Sequence, residues 1–70
     1  MEIRNEEHAR EMIGEWQGLP GPARKREISL AIEQLELSSM YYEQKGNDNG
    51  VERVARCLVI LKEHFASLDT

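Results

Sequence analysis

The sequence predicts an all-α protein: an antiparallel helical hairpin, formed by helices 2 and 3, preceded by a short N-terminal helix. Apolar residues recur at helical spacing over most of the 70 residues. Two dense clusters of turn residues, 18–22 and 46–50, divide the chain into three segments. Hydrophobic residues make up 40% of the chain and charged residues 31%, which is typical of a folded domain. A chain of this length forms one domain, residues 1–70.

Helix 1 is predicted from Glu6 to Gln17. Asn5 suits the N-cap, because its side chain can accept a hydrogen bond from the first turn. Gly18 is expected in the left-handed conformation that ends many helices, and Pro20 prevents continuation. One face of this helix carries four apolar residues, Ala9, Met12, Ile13 and Trp16. Trp16 suits either the core or an interface.

Helix 2 is predicted from Pro22 to Lys45. Proline is favourable at the first helical position, because its missing N–H would have no partner there. Gly46 is the expected left-handed residue after the helix. One seam with nearly heptad spacing runs along this helix: Ile28, Ala31, Ile32, Leu35, Ser39 and Tyr42.

Helix 3 is predicted from Gly50 to Leu68. Asn49 and Glu52 have the spacing of a capping box, in which each side chain binds a backbone N–H. A broad apolar stripe follows, widened by Cys57 and Val59: Val51, Val54, Ala55, Leu58, Leu61, Phe65 and Leu68. The short polar loop before this helix predicts antiparallel packing of helices 2 and 3.

Some apolar residues do not fit the hairpin interface. Leu30, Leu37 and Tyr41 lie on the side of helix 2 opposite the seam, and Ile60 lies away from the main stripe of helix 3. Helix 1 could cover this second face and complete a three-helix bundle, or a second protein molecule could cover it. We favour the second molecule, because helix 1 is short and carries few apolar residues. A homodimer would also reinforce a core of limited size.

Catalytic and metal sites are not expected. The two histidines, His8 and His64, lie in different helices, and neither has a cysteine or second histidine at ligand spacing. Cys57 lies among apolar residues, where a structural thiol is expected; a contact across a dimer axis is the alternative. The sequence contains no phosphate-binding loop or nucleophile elbow. We therefore expect no enzymatic activity, no cofactor and no small-molecule substrate.

A basic cluster, Arg24-Lys25-Arg26, lies at the start of helix 2, where cations oppose the helix dipole. It could bind an acidic protein or a phosphate, or it could simply balance nearby acids. The net charge of −4 disfavours nucleic-acid binding, which depends on contacts between cations and phosphates.

These observations predict a small regulatory protein that binds another protein and inhibits or recruits it, as adaptors, anti-activators and phage- or plasmid-encoded host modulators of this size do. The alternatives are a nucleic-acid-binding transcriptional regulator that uses the basic cluster and a purely structural subunit. The expected partner-binding residues are Arg24, Lys25, Arg26, Leu30, Leu37 and Tyr41. The single cysteine and the lack of a long apolar run favour the cytoplasm over a membrane or an oxidising compartment.

Overall fold

A computed structural model describes residues 3–68, which form three helices: α1 Glu6–Trp16, α2 Gly21–Gln44 and α3 Asp48–Ser67. This part of the chain contains no strand. Helices α2 and α3 pack closely along their lengths, whereas α1 packs mainly against α3 and touches α2 only slightly. The prediction of an all-α fold built on a helical hairpin is confirmed.

The N-terminus of α1 is capped as predicted. The Asn5 Oδ1 atom accepts a hydrogen bond of 2.7 Å from the backbone N–H of His8. The Nδ1 atom of His8 accepts another, of 3.1 Å, from the backbone N–H of Arg4, the residue before the N-cap. The first bond satisfies one donor of the first turn, and the second fixes the direction from which the chain enters the helix.

The C-terminus of α1 differs from the prediction. The helix ends at Trp16, one residue early, and Gln17 is its right-handed C-cap. Gly18 is not left-handed, because among residues 3–68 only Gly46 has a positive φ, of 70°. The chain instead leaves α1 through tight turns, in which the N–H groups of Gly18 and Leu19 each bond to a carbonyl three residues earlier.

The ends of the hairpin helices also shift by one or two residues. Pro20 is the N-cap of α2, so Pro22 occupies the second helical position rather than the first. Helix α3 begins at Asp48, and its N-cap is Asn47, whose side chain accepts a hydrogen bond of 3.0 Å from the N–H of Gly50. The predicted capping box of Asn49 and Glu52 is therefore wrong, because the earlier asparagine fills the cap position.

The core lies where the three helices meet, and it also includes Ile3 from the segment before α1. Trp16 is buried in this core, which resolves the two interpretations of that residue in favour of a core role. The apolar side of α3 is turned relative to the predicted stripe: Cys57 is buried, but Ala55 and Val59 face solvent. The buried residues are Ile3, Ala9, Met12, Trp16, Ile28, Leu35, Val54, Cys57 and Leu61.

Gly50 allows close packing at the end of the hairpin where the turn joins α2 to α3. A Cβ atom added at Gly50 would lie 2.7 Å from the Cγ atom of Tyr42, so any side chain there would force the ring or the backbone to shift. The ring of Tyr42 thus packs directly on the backbone of α3. The guanidinium of Arg53 lies 5.9 Å from the centre of the same ring. These contacts fix the register of the two long helices at the turn.

Candidate interaction surface

Four large apolar side chains are exposed along one side of α2. Leu30 is 48% exposed, Leu37 66%, Met40 57% and Tyr41 57%. Because successive helical residues turn by about 100°, Leu30, Leu37 and Tyr41 fall within about 40° of one another, and Met40 lies at their edge. We call these four residues the outer face of α2.

Helix α1 borders this outer face only at Leu30, which lines a small recess with Ile3 and Trp16, and it leaves most of the face exposed. Its buried residues turn toward the shared core, and its Glu6 carboxylate forms an ion pair with Arg56 of α3, at 3.0 Å between Oε1 and Nε. The alternative in which helix 1 completes a bundle over Leu30, Leu37 and Tyr41 is therefore wrong. Ile60 is different, because it is half-buried and packs against the core.

A shallow groove runs beside Leu37 and Met40, with Glu33 and Glu36 at its rim and a volume of about 310 Å³. The Nζ atom of Lys62 lies 3.5 Å from Oε2 of Glu36, so this side of the groove borders α3. Sequence reasoning missed Met40, although its position three residues after Leu37 is the spacing that places two side chains on one helical face.

The exposed ring of Tyr41 makes two contacts with neighbouring side chains. It meets the ring of Tyr42 edge-on, with 5.8 Å between centroids and an interplanar angle of 67°. The Nζ atom of Lys45 lies 5.7 Å from the Tyr41 centroid. An aromatic side chain ordered before binding loses less conformational entropy when a partner covers it.

The structure separates the three residues of the basic cluster. The Arg24 guanidinium turns back over the corner between α1 and α2, where Nη2 donates to the carbonyl oxygens of Leu19 at 3.1 Å and Gln17 at 3.4 Å. Lys25 is half-buried and Arg26 is exposed. Arg24 therefore satisfies carbonyl groups beyond the end of α1, a structural role that the sequence analysis did not identify.

Cys57 is 1% exposed, so it cannot make the contact across a dimer axis that the sequence left open. Burial raises the pKa of its thiol, and the negative charge of Glu6 raises it further, while Arg53 and Arg56 partly oppose both effects. The neighbouring cavity measures only about 20 Å³. A protonated thiol beside so small a cavity is a poor nucleophile.

Two further findings concern membranes and metal ions. None of the helices described, α1 to α3, has an apolar stretch sufficient to span a lipid bilayer. Within residues 3–68, no three histidine, cysteine, aspartate or glutamate side chains cluster in a way that could hold a metal ion.

Comparison of the chain with family models, with curated proteins and with solved structures finds no match.

Proposed function

We propose that this chain is a small regulatory protein without enzymatic activity, which acts by binding another protein and thereby inhibiting or recruiting it. The observation that carries the proposal is the outer face of α2. Four large apolar side chains lie there, each with about half or more of its surface exposed, at 48–66%. Contiguous apolar surface of this kind on a small protein marks a site of association.

The arrangement of these side chains favours recognition through a helix. Leu30 and Leu37 are two full turns apart, and Tyr41 continues the same row one turn later. A row of apolar side chains on one helix is the pattern that docks into a hydrophobic groove or against a second helix. Aromatic residues are enriched among those that contribute most to binding, so Tyr41 is the expected anchor at one end of the row.

A homodimer is part of this proposal. A single core in so short a chain supplies only about 3–5 kcal/mol of stability unless something reinforces it. Covering Leu30 and Leu37 with a second protein molecule would remove apolar area from water at about 25 cal/mol per Å². Association would therefore add stability as well as function.

The geometry gives less support to nucleic-acid binding through Arg24, Lys25 and Arg26. That function needs several cations on one surface to contact phosphates. Here the Arg24 guanidinium binds the carbonyls of the corner before α2.

Action in the cytoplasm also belongs to the proposal, because a single buried thiol is suited to a reducing compartment.

Capture of partners from an extract of the cells that encode the chain tests this function, with Leu37→Glu as the disrupting variant. Val59→Glu is the matched control: Val59 is 55% exposed, close to the 66% of Leu37, but lies on α3. We expect wild type and Val59→Glu to recover a stoichiometric protein that Leu37→Glu loses, while circular dichroism shows equal helicity in all three.

Two outcomes would contradict the proposal. In one, Leu37→Glu recovers the same protein as wild type. In the other, wild type recovers no protein and does not self-associate, but shifts the mobility of nucleic acid at low salt in a way that Arg26→Ala abolishes.

A further inference from the structure

We infer that the outer face of α2 binds a cationic amphipathic helix of another protein, one that carries leucine or similar side chains flanked by lysine or arginine. This inference rests on the proposed function, since it assumes that this face binds protein. It adds the chemistry of the partner, which supplies apolar side chains for the row on α2 and positive charge for the carboxylates beside that row.

Glu33 lies within the apolar row itself. It follows Leu30 by three residues and precedes Leu37 by four, spacings that place the three side chains on one side of the helix. The Glu33 side chain is exposed, and it lines the groove beside Leu37 together with Glu36 and Met40. A partner side chain that enters this groove therefore meets carboxylates at its rim.

A further carboxylate, that of Glu27, borders the other end of the row. Glu27 is half-buried and lines the small recess that Leu30 shares with Trp16, which has a volume of about 110 Å³. Both recesses beside the outer face thus combine an apolar side chain of the row with at least one carboxylate.

The charge of this part of α2 has a single sign. Residues 27–44 contain four glutamates and neither lysine nor arginine. The nearest cations along the chain lie at the two ends of this stretch: Arg26 precedes Leu30 by one turn, and the ammonium of Lys45 lies beside the ring of Tyr41. The leucines of the row therefore lie in a stretch of helix that carries only negative charge.

Two of these carboxylates have no cationic partner within residues 3–68. Lys62 pairs with Glu36 at 3.5 Å, and the other ion pair of these residues joins α1 to α3. Neither pair involves Glu27 or Glu33. A cation brought by a partner would therefore meet carboxylates that no described side chain already neutralises. Charge complementarity of this kind selects among partners and speeds their encounter.

The same carboxylates disfavour a second copy of the chain as the occupant of this face. Two α2 helices laid side by side along residues 27–44 would bring glutamates together in either direction, because this stretch contains no cation. A cationic helix replaces that repulsion with attraction and covers the same leucines. We therefore expect a homodimer formed through this face to give way to the cationic helix.

Binding of synthetic peptides to the full chain, followed by fluorescence anisotropy, tests the chemistry of the partner. The probe is a labelled peptide of leucine and lysine, about 18 residues long, with its leucines on one helical face. One control peptide has glutamate in place of lysine, and another has the same composition with the leucines scattered around the helix.

We expect the leucine–lysine peptide to bind, and its affinity to fall as the salt concentration rises. The scattered peptide should bind at least about tenfold more weakly, because it cannot cover the row. The glutamate peptide should not bind. Equal binding of the lysine and glutamate peptides, or no binding of either, would overturn the inference.

Two double variants test where the peptide binds. Glu27→Gln with Glu33→Gln removes two negative charges beside the row, and Glu52→Gln with Glu63→Gln removes two from exposed positions of α3. Each raises the net charge of −4 by two, so only the position of the change differs. The first should weaken binding of the leucine–lysine peptide about 3- to 10-fold, and the second less than about twofold. Equal effects would assign the binding to net charge and overturn the inference.

The outcomes separate this inference from the proposed function. A protein that is captured through Leu37, but binds the Glu27→Gln, Glu33→Gln variant as tightly as wild type, would overturn the inference and leave the proposed function standing. A wild-type dimer that the leucine–lysine peptide does not dissociate in sedimentation equilibrium would assign the face to a second copy, and would likewise overturn the inference. If Leu37→Glu changes neither capture nor peptide binding, both fail.

Discussion

Leucines at two positions of α2 have opposite environments, although they are the same residue in the same helix. Leu35 on the inner face is 3% exposed and packs in the core, whereas Leu37 on the outer face is 66% exposed. Ile28 and Leu30 repeat the contrast, at 0% and 48% exposure. Burial within the chain explains why the inner residues are apolar. It does not explain the outer ones, and the proposed contact with another molecule would account for them.

The largest expected difference in the free energy of unfolding is that between two truncations, Leu35→Ala and Leu37→Ala. Leu35→Ala removes a fully packed side chain, so we expect the free energy of unfolding to fall by about 2–5 kcal/mol. Leu37→Ala should change it by no more than about 0.5 kcal/mol at concentrations low enough to keep the copies apart. Urea unfolding followed by circular dichroism measures both values, and similar losses would show that Leu37 belongs to the core.

Alanine substitutions at two glycines, Gly50 and Gly14, compare a crowded position with an open one. Gly50→Ala places a Cβ atom 2.7 Å from the Tyr42 ring, and we expect a loss of about 1–3 kcal/mol from overpacking. Gly14→Ala in α1 meets nothing within 4 Å and should stabilise the chain by up to about 1 kcal/mol, because alanine favours the helix. Thermal unfolding compares the two variants. A neutral Gly50→Ala would mean that the ring of Tyr42 can move aside.

The thiol of Cys57 should have a smaller effect on the free energy of unfolding as the pH rises. Because burial raises the pKa of the folded thiol above its ordinary value of 9.0, the unfolded chain loses this proton first. The unfolded state then binds fewer protons, so the free energy of unfolding should fall as the pH rises above about 9. Urea titrations between pH 7 and 10 measure this slope. A Cys57→Ser control should lack this part of it, and an equal slope in that variant would assign it to other groups.

The helices and the seam of α2 could be predicted because their signals are periodic and repeat over many residues. Ile28 and Leu35 recur on one side of the helix, so no single residue decides the assignment. The ends of the helices depend on single residues instead. Asn47 and Asn49 are equally good caps by residue type, and only the packed turn determines that Asn47 is used.

The outer face was predicted in part, through Leu30, Leu37 and Tyr41. Two other features could not be read from the sequence, because they depend on contacts between separate segments. Ile3 lies before α1, where no periodic pattern indicates burial, yet it joins the core. The Arg24 side chain reaches back to carbonyl groups five and seven residues earlier, and this contact exists only after the corner has folded.

The exposed leucines of α2 have a consequence for how this sequence can change over generations. Selection for folding alone would place only a weak demand on Leu30 and Leu37, which are 48% and 66% exposed, so polar replacements would accumulate at these positions. Met12 and Leu61, both buried, would persist under the same selection. Laboratory evolution can test this: retention of Leu30 and Leu37 under selection for biological activity, together with their loss under selection for solubility alone, would support the proposed contact with another molecule.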